Sequence, residues 1–247
     1  MSISTTDIKV YGSAVMPDLD ATASVGGAID LTKKVEFTDI SPTGTVEMIS
    51  ALDADTTQTV TIYGRNAAGE EVNEAKVLNG VSTVAFTTEF ERISKTVIAS
   101  AATGTVTVRK SGAGDTLITA EAGILEIRKP FYNATAPTTG NTDYYEKIFF
   151  KNTHATLSLT SAQIVESADP STKITFGLDA ALGSTTTITN RLTAPDGIVF
   201  DSTTKDVANS GNHTAGASQG VWLKLSVTSA DTPTKTTYTL QETGNTI

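Results

Sequence analysis

The chain contains no cysteine, which excludes disulfides, thiolate metal sites, iron–sulfur clusters and cysteine nucleophiles. Only two histidines are present, His154 and His213. They stand far apart with neither a serine-centred turn nor metal-ligand spacing between them, so both read as surface or turn residues. Aromatic residues make up 6% of the chain, with one tryptophan and 6 tyrosines. Basic residues are in deficit: 18 Lys and Arg face 27 Asp and Glu, a net charge of −9. That balance argues against a nucleic-acid or anionic-membrane surface. Long apolar runs are missing too; the best, such as Ile148-Phe149-Phe150, fall far short of the roughly 18 residues of a membrane span. The opening MSISTTDIKVYGSAV has no basic leader followed by an apolar run and a cleavage site, so synthesis in a cytoplasm is expected. These deficits lean away from an enzyme, a metal or a cofactor.

What the chain has is threonine, about 45 of its 247 residues, and β-branched residues favour pleated backbone. Apolar residues recur with period two. Val46 and Met48 alternate with Thr45 and Glu47, Val60 and Ile62 with Thr59 and Thr61, and Val106 and Val108 with Thr105 and Thr107. Leu157 and Leu159 do the same among Thr156, Ser158 and Thr160, as do Ile174, Phe176 and Leu178 around Thr175 and Gly177. Val221, Leu223, Leu225 and Val227 oppose Trp222, Lys224 and Ser226. Short runs bounded by Gly, Pro, Asn or Asp predict antiparallel strands with one face in a core. Asn66-Ala67-Ala68-Gly69, Asn79-Gly80 and Ser111-Gly112-Ala113-Gly114-Asp115 predict turns between strands. Phe90, Ile93 and Val97 fit a helical stripe or a strand, and the threonine-rich flanks favour a strand. The expected class is all-β.

The chain length suffices for one large domain or two of about 100–120 residues. A Pro-, Thr- and Asn-rich stretch at about 130–143 suits an exposed connector. The expected organisation is therefore an extended N-terminal arm (1–32), a first antiparallel β-sandwich (33–129) and a second (130–247). In the arm, Ile8-Lys9-Val10-Tyr11 is the segment able to add a strand to its own sheet or a neighbour's.

Segments from both halves carry a likeness. Val35-Glu36-Phe37-Thr38-Asp39-Ile40, Gly44 to Ser50, Asp55 to Glu70, Leu78-Asn79-Gly80 and Phe90-Glu91-Arg92-Ile93 are followed by Lys147 to Asn152 and Gly220 to Leu225. Together they resemble virion structural proteins of tailed bacteriophages, built from immunoglobulin-like or jelly-roll-like sandwiches. The resemblance implies a place on a phage particle and brings no catalytic residues. It implies a capsid decoration or cement protein on the outer surface of the head, bound to the major capsid protein or other virion subunits. A homo-oligomer, with a trimer matching a three-fold shell position, is implied in the same way. The alternative within phages is a tail, collar or fibre component acting as spacer or receptor-binding adhesin.

Candidate chemistry is thin. Asp53-Ala54-Asp55 and Asp18-Leu19-Asp20 place carboxylates two apart but lack the further ligands of a calcium loop. Gly112-x-Gly114 lacks the Lys and helix of a phosphate loop. Asn133-Ala134-Thr135 and Asn212-His213-Thr214 match glycan acceptors that a threonine-rich chain produces by chance. Glu166, Asp169 and Asp179 would be the carboxylates of a carbohydrate-binding or carbohydrate-processing alternative, which also needs an aromatic-lined cleft. Interaction candidates are Trp222, either covered by a loop or anchoring a subunit contact, and Ile8, Val10 and Tyr11 of the arm.

Overall fold

The computed structural model describes residues 2–35, 38–232, 235 and 237–246. Half of the chain is strand and about 3% helix, with mostly antiparallel sheets, in keeping with the threonine-interleaved alternation. Two compact units emerge: a discontinuous one made of Met1–Asp30 and Asn133–Ile247, and a continuous one, Leu31–Tyr132.

Following the chain, β1 (Ile8–Val15) and β2 (Val25–Lys34) come first. The expected extended arm is not evident. Ile8 pairs antiparallel with Asn152, Val10 with Phe150 and Tyr11 with Phe149, and β2 neighbours β1 on its other side. The segment's apolar pattern is thin because backbone hydrogen bonds to both neighbours hold it, and these leave no trace in hydrophobic periodicity.

In the continuous unit, β3 (Val46–Ser50), β4 (Thr59–Arg65), β5 (Glu71–Val77), β6 (Val84–Ala85), β7 (Arg92–Ile98), β8 (Val106–Lys110), β9 (Thr116–Ala120) and β10 (Glu126–Arg128) follow. One sheet runs β10-β7-β4-β5, with the end of β2 parallel to β10; the other runs β6-β3-β8-β9. Alternation is sharpest in β4, where Val60 and Ile62 are buried between half-buried neighbours. The ambiguous stretch is strand β7, with Ile93 and Ile98 buried. Asn66 closes the β4–β5 hairpin: its Oδ1 accepts from the amides of Ala68 and Glu70, and Gly69 takes φ 80°. Asn79-Gly80 does form a tight turn, with Gly80 at φ 57°. Yet it joins β5 to β6, strands of different sheets, rather than two partners of one hairpin.

The discontinuous unit resumes with β11 (Asn141–Asn152), β12 (Leu159–Ala168), β13 (Ile174–Leu182), β14 (Thr187–Ile188), β15 (Lys205–Asp206), β16 (Ser218–Thr228) and β17 (Thr239–Thr246). Its strand order is β13-β16-β11-β1-β2, with β14 on β2, beside a three-stranded sheet β15-β12-β17. Residues 144–150 of β11 are buried without a break, the mark of a strand covered on both faces.

Candidate functional site

Trp222 sits on β16 between β11 and β13, opposite Lys147 and Gly177. It is fully buried, packed with Val25, Tyr145 and Ile188 and flanked by Ile198 and Phe200. Both faces of β16 are covered over residues 218–223, so the face that alternation left open is closed by β14 and the segment after it. Of the two readings of Trp222, covered or anchoring a subunit contact, its full burial fits the covered one, and the indole presents no surface in this chain. Ile8, Val10 and Tyr11 are half-buried and paired within their own sheet.

Around Trp222 lies a buried polar cluster that only the fold assembles. Lys147, on β11, is fully buried and its Nζ lies 2.6 Å from Asp179 Oδ2 on β13. Nζ also donates to the Ser184 carbonyl and to Thr186 Oγ1, each at 3.0 Å. The other carboxylate oxygen, Oδ1, accepts from Thr186 Oγ1 at 2.8 Å and from the Trp222 indole N–H at 3.1 Å. Gln219 donates to the Asp179 and Gly220 carbonyls, both at 2.9 Å. The ammonium also stands 4.9 Å from the centre of the Phe149 ring and 5.5 Å from that of Trp222. Burial pushes the Lys147 amine below its ordinary value, and Asp179 only partly offsets this. Because β16 runs between β11 and β13, the two side chains meet over Gly220. A Cβ there would overlap Asp179 Oδ2 and come within 2.8 Å of Lys147 Cε. Glycine at this point is a requirement of the ion pair.

His213 is the second surprise, since it is fully buried. Its Nδ1 lies 2.6 Å from Glu242 Oε1 of β17, and its Nε2 3.1 Å from the Ala217 carbonyl. His154 caps a turn, its Nδ1 accepting from the amides of Thr156 and Leu157. Arg191, also buried, donates to Asp20 at 2.7 Å and to the Asn133 carbonyl at 3.1 Å, and lies over the Tyr144 ring.

The remaining carboxylates mostly close turns. Asp55 is buried and accepts from Ser50 Oγ and the amides of Thr103 and Gly104. Glu47 takes the amides of Gly112 and Ala113 and the Arg109 guanidinium, so the Gly112-x-Gly114 loop holds a side chain of its own unit. Asp169 caps its own turn through Ser171 and Ile174. The Tyr238 hydroxyl donates to Glu166 at 3.4 Å. The structure thus sets Asp179 in the buried cluster with Lys147 and Trp222, apart from Glu166 and Asp169, whose charges both act on the Tyr238 hydroxyl. Among the described residues, no group of three or more His, Asp or Glu is placed to hold a metal ion, and no helix is long and apolar enough to cross a membrane.

Both units carry exposed apolar side chains among the described residues. Leu19 (65% exposed) and Leu192 (46%) flank the Asp20–Arg191 pair of the discontinuous unit. In the continuous unit, Leu52 and Val81 are exposed beside the close approach of Gly80 to Asp53. No family model, curated protein or solved structure matches the chain.

Proposed function

We propose that the chain is a structural protein of a tailed-phage virion, a decoration or cement protein on the outer surface of the head. In this reading its two units are antiparallel β-sandwich modules that bind the major capsid protein or neighbouring virion subunits, as a homo-oligomer of trimer type. The observation that carries it is the use made of buried ionisable groups. Lys147 with Asp179, His213 with Glu242, and Arg191 with Asp20 each tie segments far apart in sequence. Such ties favour a stiff body over a mobile site, and stiffness is what a protein resisting shell strain requires. The net charge of −9 suits an outward position, since a face beside packaged DNA would be repelled. Leu19 and Leu192, the chain neighbours of the paired Asp20 and Arg191, are the contact residues we assign in the discontinuous unit, because exposed apolar side chains on a fixed base suit a docking surface.

Purified chain added to phage heads that lack it is expected to bind in a saturable copy number, visible as outer-surface density by electron microscopy. It should also raise the temperature at which the heads release DNA. Leu19→Asp with Leu192→Asp should weaken binding at least tenfold. Density on the tail, or no binding at all, would overturn the reading.

A further inference from the structure

We propose that Lys147 and Asp179 condense to an intramolecular amide, a covalent brace from β11 to β13 passing over Gly220 of β16. The proposal stands apart from the virion reading and rests on the geometry of one buried cluster.

Three features set this pair apart from an ordinary ion pair. The first is approach: Nζ and Oδ2 are 2.6 Å apart, both side chains are at most 3% exposed, and the bare Gly220 backbone lets them meet. Groups held this way reach effective concentrations of about 10⁵ M or more. The second is the division of labour between the carboxylate oxygens. Oδ1 receives two donors, the Trp222 N–H and the Thr186 hydroxyl, an arrangement that stabilises charge developing on that oxygen during attack at Cγ. Oδ2 receives no hydrogen bond of good geometry and faces the amine, as a departing oxygen would. The third is the amine. Burial favours its neutral form; the Ser184 carbonyl accepts from it at 3.0 Å and Thr186 accepts through Oγ1 at 3.0 Å and its carbonyl at 3.4 Å, while the Asp179 carboxylate stands at 2.6 Å.

The step balances without any outside reagent. One ammonium proton passes to Oδ2, giving a neutral amine and a neutral acid. The nitrogen lone pair attacks Cγ, and the C–Oδ1 π electrons move onto Oδ1. A second nitrogen proton joins Oδ2, the C–Oδ2 bond breaks and water leaves; the C=Oδ1 bond reforms. Of the three ammonium protons, one stays on the amide and two depart in the water. Thr186 is exposed, which gives that water a way out. The product removes two charges from a site where each is costly to desolvate.

Intact mass spectrometry of the denatured full chain tests this directly. The expected mass is the sequence mass less one water, with a branched peptide joining residues 147 and 179 after digestion. Asp179→Ala and Lys147→Arg should each restore the full mass of their own sequence, whereas Asp179→Asn should lose one ammonia instead. A folded wild-type chain with the full sequence mass overturns the proposal, as does a water loss whose branch point lies elsewhere.

Discussion

Asp55 is the carboxylate whose removal should cost the continuous unit most. Its oxygens accept the Ser50 hydroxyl at 2.6 Å, the Thr103 amide at 2.8 Å and the Gly104 amide at 2.9 Å, with the Gln58 amide more distant at 3.5 Å. Asp55→Ala removes the buried acceptor that these donors share. Hydrogen bonds to a charged acceptor contribute about 1.5–3 kcal/mol each. Thr103 is exposed and its amide can recover water, so two full losses are counted, about 3–6 kcal/mol. That is a large share of the roughly 5–15 kcal/mol that holds a domain folded. Urea unfolding reads the difference, and hydrogen exchange should rise in peptides spanning residues 46–65 and 101–110. The hydrogen bond from Ser50, then that from the Thr103 amide, hold the Asp55 carboxyl below its ordinary value of 3.8. Its contribution is therefore complete above that value and fades as pH falls through the lower, folded value. The gap between wild type and Asp55→Ala should be full at neutral pH and close in strong acid. A neutral-pH gap under about 0.5 kcal/mol, below the smallest single loss counted here, or a gap that survives full protonation, would refute the reasoning.

Gly220→Ala should destabilise the discontinuous unit by about 2–4 kcal/mol, since the methyl forces Lys147 and Asp179 apart and leaves both charges buried; Trp222 fluorescence during urea unfolding reads it. His213→Phe should cost about 3–5 kcal/mol by stranding the Glu242 carboxylate, and adding Glu242→Leu should recover much of that loss. Thermal unfolding of the four-member cycle measures the coupling; additive losses would mean the pair does not interact. For Glu74, burial acts to raise the carboxyl, but the Thr88 amide, Lys76, the Thr88 hydroxyl and the Thr87 amide outweigh it and hold the value at about 2. Carbon-detected NMR should find that titration near pH 2. The stabilisation from Glu74 should be complete above its ordinary 4.5 and lost on descending toward 2.

Much of the fold was legible residue by residue. Val60 and Ile62 against Thr59 and Thr61 mark β4 because side chains on a strand alternate faces, a rule that needs only near neighbours. The Asn66–Gly69 turn was legible for the same local reason. Of the buried cluster nothing was visible, because Lys147, Asp179 and Trp222 are brought together by sheet order, with β16 inserted between β11 and β13. His213 looked like a surface residue because its partner, Glu242, arrives on a strand 29 positions later. Trp222 looked half-exposed because alternation describes one strand and says nothing of what covers its second face. Composition and period by themselves determined that this chain would be threonine-rich antiparallel sheet without thiol chemistry. Only the tertiary structure decided that the first 30 residues complete a sheet with the last 115, and which charges are buried together. Strand pairing and side-chain burial depend on contacts across long stretches of chain, and no local pattern encodes them.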